Sequence, residues 1–198
     1  MKRIRYVNWL ALGAMTTDER FLLLAYRVPS TTSRARVAVW RELKRLGALY
    51  IQQAVCVLPG REGVRQRLDK VRERIDELGG ESMIFVLADV EERERRKLVE
   101  SFRENSAKEY AEIVEECETK FFKEIEFERF RENYTFEEAE EIRQDLEKLR
   151  RWLQKVEERD WMGAPGRDLA REKVAECERL LDQFEADVYE RVGDPGAI

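Results

Sequence analysis

The chain has 198 residues, 43% hydrophobic and 40% charged, with 37 Lys and Arg against 42 Asp and Glu. That apolar share excludes global disorder, and the absence of histidine excludes a Cys/His zinc site and a Ser-His or Cys-His catalytic pair. Three cysteines without close spacing, Cys56, Cys117 and Cys177, fit a reducing interior, so a cytoplasmic protein is expected.

Residues 1–20 read as an N-terminal extension open to disorder. Its basic start and the short run Trp9-Leu10-Ala11-Leu12 weakly resemble a signal peptide, but the run is short and Asn8 interrupts it. The preferred reading is an upstream extension before a start at Met15. No run approaches the ~20 apolar residues needed to cross a bilayer, and a soluble chain is expected.

Phe21 to Val28 is a dense apolar run ended by Pro29 and reads as a buried strand. Ser30-Thr31-Thr32-Ser33 offers hydroxyls to cap a helix that runs to Leu46, with Val39, Leu43 and Leu46 on one stripe and Gly47 as its stop. Ala48 to Pro59 is too long for one strand and is interrupted at Gln52-Gln53, which predicts a hairpin. Val64, Leu68, Val71, Ile75 and Leu78 keep helical spacing before Gly79-Gly80, and Ser82 to Val90 reads as the last strand. The order βαββαβ predicts a ferredoxin-like domain over 21–90, with two helices on one face of an antiparallel sheet.

These strands do not alternate apolar with polar. Phe21, Leu23 and Ala25 oppose Leu22, Leu24 and Tyr26, and Met83, Phe85 and Leu87 oppose Ile84, Val86 and Ala88. Both faces are expected to be buried, the second by the C-terminal helices or by another copy of the chain, and a homodimer with some contribution from the helical half is favoured.

Residues 91–198 read as a helical domain of three segments, which makes the fold class α+β. The first runs from Glu91 to about Arg131, with a bend expected near Asn105-Ser106, where the apolar pattern lapses. Thr135 and Glu138 form a capping box for the second, which carries Ile142, Leu146, Leu149, Leu153 and Val156. Gly163-Ala164-Pro165-Gly166 separates it from a third that carries Ala170, Val174, Cys177, Leu181, Phe184 and Val188. Two such helices joined by a short loop predict an antiparallel hairpin.

From about Phe21 onward the chain resembles the N-terminal domain family of ChrB-type chromate-resistance proteins. The stretches that carry the resemblance are Trp40 to Ala48 (WRELKRLGA), Asp145 to Leu153 (DLEKLRRWL) and Arg159 to Ala164 (RDWMGA), with Glu109-Tyr110 and Glu115-Glu116-Cys117. The first is shared loosely with related βαββαβ repressor and CRISPR-associated domains. The resemblance implies a bacterial regulator of chromate resistance acting on expression of a chromate efflux transporter. Family members usually continue into a second domain, and chemistry housed there does not carry over to this chain.

Charge divides the chain in two. Residues 1–90 hold 16 basic and 10 acidic side chains, whereas residues 91–198 hold 21 and 32. Arg34, Arg36, Arg41, Lys44 and Arg45 crowd the first helix, and Arg34, Arg41 and Arg45 share a face by spacing. They form a candidate nucleic-acid contact; a solvated face, or a partner for the acidic half, is the alternative. Ser30, Thr31, Thr32 and Ser33, with Arg27, could hold a tetrahedral oxyanion at the helix start, where ordinary capping is the alternative. Chromate as the ligand, and as the effector, is implied only by the resemblance.

No enzyme is expected. The related CRISPR nucleases need an acidic metal ligand at the end of the first strand, where this chain has Tyr26-Arg27-Val28-Pro29, and Asp89 alone is a weak metal signal. The Glu-rich helices lack the Glu-x-x-His motif of di-metal bundles and read as solvated faces; no cofactor is expected. Cys117 and Cys177 read as core thiols, and Trp152 and Trp161 as packing anchors. Three readings result: a DNA-binding regulator, a structural or protein-interaction module, and a nucleic-acid-processing enzyme, the last weakened by the missing carboxylate.

Overall fold

In the computed structural model, residues 20–29, 33–61 and 63–193 are described. Apart from Arg20, the expected N-terminal extension lies outside them, as do Ser30, Thr31 and Thr32. The chain divides into two compact units, Met1–Arg95 and Arg96–Ile198.

In the first unit the elements run β1 (Phe21–Arg27), α1 (Ser33–Arg45), β2 (Leu49–Gln52), β3 (Val55–Pro59), α2 (Val64–Glu77) and β4 (Glu81–Leu87). The strands form one sheet in the order β2-β3-β1-β4, with every neighbouring pair antiparallel. The last strand stops at Leu87, three residues before the expected Val90. α1 ends as its sequence suggests. The amide of Gly47, at φ 72°, donates to Lys44 O and that of Ala48 to Leu43 O, which satisfies two terminal carbonyls. Gly80 is required by crowding, because a Cβ there would lie 2.4 Å from Arg27 O and 2.7 Å from Ile75 Cγ2. The expected hairpin forms β2 and β3, with Ala54 at φ 59° in its turn and a bulge between Tyr50 and Gln52.

Register fixes the two faces of the sheet. Leu24, Cys56 and Tyr50 stand in one row across three strands, and Leu23, Val57 and Leu49 in the next. The face of Leu22, Leu24, Cys56 and Leu58 is buried, together with Val39 and Leu43 of α1 and Val64, Leu68, Val71 and Ile75 of α2. Within one chain the second face stays open at β4. Met83 and Phe85, opposite Ala25 and Leu23 on the other face, are 61% and 48% exposed, and Val86 is also exposed. The absence of polar residues showed that this face could be buried, not that a single chain buries it.

The second unit is helical. α3 (Glu92–Glu116), whose first turn belongs to the first unit, is followed by a π-helical turn at Cys117–Phe121 and by α4 (Phe122–Phe130). At Asn105-Ser106, where a bend is expected, the helix is unbroken. The helix continues there with Ser106 buried, and the irregularity lies at the π turn instead. α5 (Phe136–Arg159) and α6 (Arg167–Val192) are the predicted hairpin, and all eleven residues assigned to their stripes are buried. Tyr110, Ile113, Cys117, Phe121 and Ile125 of the first rod complete the same core. The Thr135 hydroxyl accepts from the Glu138 amide at 3.2 Å, as a capping residue should, while the Glu138 carboxylate accepts from Asn133 Nδ2 at 3.3 Å.

Candidate functional site

α1 buries Val39 and Leu43, and Trp40 and Arg41 between them are exposed. Arg34, Arg36, Arg41, Lys44 and Arg45 are all exposed, and among the described residues none of them forms an ion pair. Most cations of the helical unit stand differently. Arg150 pairs with Glu178, Arg159 with Glu109, Arg143 with Glu185, and Arg171 with Glu157. Within the first unit, Arg65 and Arg74 are paired along α2 with Asp69 and Glu77. The α1 side chains are thus a set of open cations in a chain that otherwise pairs many of its charges.

Of the expected oxyanion site, Ser33 and Arg27 are described. Ser33 is the exposed first residue of α1, and Arg27 at the end of β1 pairs with Glu81 of β4 at 3.2 Å, both side chains facing water.

A cleft of about 540 Å³ lies between α1 and the sheet, lined by Tyr26, Arg27, Arg36, Val37, Trp40 and Tyr50 among others. Trp40 and Val37 are 46% and 41% exposed. The hydroxyls of Tyr26 and Tyr50 lie 2.9 Å apart across β3. Burial raises both phenols above their ordinary value, joined at Tyr50 by the hydrogen bond to Tyr26, so they stay protonated and available for hydrogen bonding. The sequence gives little sign of this cleft, because its walls come from a helix and two strands. The one legible signal is Trp40 beside the buried Val39, off the helix's apolar stripe.

The other candidate residues have structural surroundings. Cys117 and Cys177 are buried free thiols in contact with each other. Their mutual hydrogen bond lowers the first and, with burial, raises the second. Burial alone pushes Cys56 up to about 12. These are packed thiols, not exposed nucleophiles. Asp160 accepts from the Ala164 amide at 2.9 Å and from the Tyr110 hydroxyl at 3.2 Å, and Arg103 donates to Gly163 O at 3.2 Å. The stretch Arg159 to Ala164 therefore builds the turn between α5 and α6. No group of three or more Cys, Asp or Glu suited to a metal occurs among the described residues. Nor is any helix among them long and apolar enough to cross a membrane.

A family model described as "Protein ChrB, N-terminal" matches residues 36–195, from the first turn of α1 through α6. No curated protein and no solved structure matches the chain.

Proposed function

Because the chain belongs to the ChrB N-terminal family, which ties it to chromate resistance, we propose that it is a DNA-binding regulator controlling a chromate efflux transporter. The observation that carries the reading is the set of five exposed cations on α1, none of them ion-paired among the described residues. Side chains of this kind can neutralise phosphates and release counterions. The strand order β2-β3-β1-β4 with antiparallel neighbours supports a ferredoxin-like reading of the sheet unit. In this proposal the protein is a cytoplasmic homodimer without catalytic activity, and chromate or another oxyanion is its effector. The exposed Met83 and Phe85 support a second copy on the open sheet face.

The test is titration of the DNA upstream of the chain's own operon at several salt concentrations. Binding should depend on sequence and weaken steeply with salt. Arg41→Glu with Arg45→Glu should abolish binding near physiological salt and lower the salt slope of any residual binding by about two. Unchanged affinity in that variant would dismiss α1 as the contact.

The second reading, a protein-interaction module without DNA binding, is favoured by one feature of the helical unit. Phe127 and Phe130 are exposed near the end of α4, Phe130 at 85%. No detectable DNA binding at low salt would leave this reading in place.

A further inference from the structure

The cleft beside α1 has a composition that the regulator reading does not use. Its walls are aromatic and aliphatic, from Trp40, Val37, Tyr26 and Tyr50, and its charged lining residues are Arg27 and Arg36, with no carboxylate among them. Arg27 is already paired with Glu81, whereas Arg36 has no ion-pair partner among the described residues. Lys44 lies one helical turn beyond Trp40, and Arg41 and Arg45 continue the open positive charge along the helix. A planar apolar body would shield Trp40 and Val37 from water, an attached anion would meet Arg36, and further anions along a chain would meet Lys44, Arg41 and Arg45. The hydroxyl pair of Tyr26 and Tyr50 supplies hydrogen-bonding groups for the polar edge of such a body. At about 540 Å³ the cleft is far larger than a tetrahedral oxyanion needs.

We propose that this cleft takes one unpaired base of single-stranded nucleic acid, stacked on Trp40, with its phosphate on Arg36 and the neighbouring phosphates on the remaining α1 cations. Stacking of this kind tolerates any base, because every base has an apolar face, and the basic track holds the strand. The proposal rests on the reading of α1 as a nucleic-acid surface. It adds that an unstacked base, not only the outside of a duplex, is bound.

The experiment compares three probes on the full chain: an oligothymidylate of about 12 nucleotides, the upstream duplex, and thymidine monophosphate. The oligothymidylate should bind and quench tryptophan fluorescence. Trp40→Ala should remove the Trp40 part of that quenching and weaken binding about 5- to 100-fold. Trp40→Phe, which keeps an aromatic face, should retain most of the affinity and controls for folding. Oligothymidylate affinity unchanged in Trp40→Ala would overturn the proposal. So would monophosphate bound as tightly as the oligomer, which would make the ligand a free nucleotide. Duplex binding that is lost in Arg41→Glu with Arg45→Glu, without any oligothymidylate binding, would sink the stacked base and keep the regulator. Oligothymidylate binding through Trp40 without duplex binding would do the reverse.

Discussion

The two units use charge in opposite ways. In the helical unit acidic side chains outnumber basic ones, yet many cations lie against carboxylates, as in Arg159 with Glu109 and Arg129 with Asp187. In α1 a smaller number of cations stands open to water. Net charge alone would have drawn attention to the more strongly charged half. Pairing draws it to the other, because a cation already held by a carboxylate must exchange that partner to meet a phosphate. Solvent-exposed pairs of this kind contribute little stability each, about 0–1 kcal/mol, so their abundance says more about surface chemistry than about folding.

The contrast can be broken first at the core of the helical unit. Phe184 is fully buried and stacks on Tyr134 at 5.6 Å between centroids, with Arg191 over the far ring. Phe184→Ala should cost about 3–5 kcal/mol by denaturant unfolding. A loss below 1 kcal/mol would mean that packing does not dominate there. The next effect is Asp160→Ala, which leaves the Ala164 amide and the Tyr110 hydroxyl without their acceptor and should cost about 1–3 kcal/mol. An unchanged midpoint would show the turn between α5 and α6 to be held by other contacts.

A smaller effect concerns the acidic surface itself. Burial, with Asp145, Glu138, Glu128 and Glu141 nearby, raises the pKa of Glu124 above its ordinary value. The native state therefore holds this proton more tightly than the unfolded chain. The resulting stability is complete below the unfolded value near 4.5 and is lost as pH rises through the higher folded value. Glu124→Gln should raise the midpoint at pH 7 by about 1–2 °C and flatten its rise on acidification, both measured by thermal melts in a pH series. Equal pH slopes in both proteins would remove Glu124 from the account. The smallest effect belongs to the open cations. Arg41→Glu with Arg45→Glu should change stability by no more than about 0.5 kcal/mol, because neither residue has a described ion-pair partner to lose. A larger loss would reveal a structural role and weaken the contrast.

The helical half was legible because its information is local. Ile142, Leu146, Leu149, Leu153 and Val156 mark one side of a helix, and all five are buried. Gly47 and Thr135 likewise signal their helix ends through nearest-neighbour chemistry. What escaped depends on partners distant in sequence. Met83 and Phe85 carry the pattern of buried residues, but no pattern shows whether another element arrives to cover them. Tyr26, Trp40 and Tyr50 form a cleft only once α1 is laid on the sheet. Asn105 and Ser106 suggested a bend because polar residues interrupt the stripe, yet a buried serine in a helix need not disturb it.

The turn at Cys117–Phe121 explains the rhythm around it. Ile113, Cys117, Phe121 and Ile125 are all buried at successive intervals of four, which an uninterrupted α-helix would carry steadily around its axis. One wider loop of backbone absorbs that drift and returns the later residues to the interior. A continuous α-helical path from Ile113 would place Ile125 about 120° around the axis from it, away from the side that both residues bury. The local widening thus acts as a phase correction, by which Ile113, Cys117, Phe121 and Ile125 all reach one core.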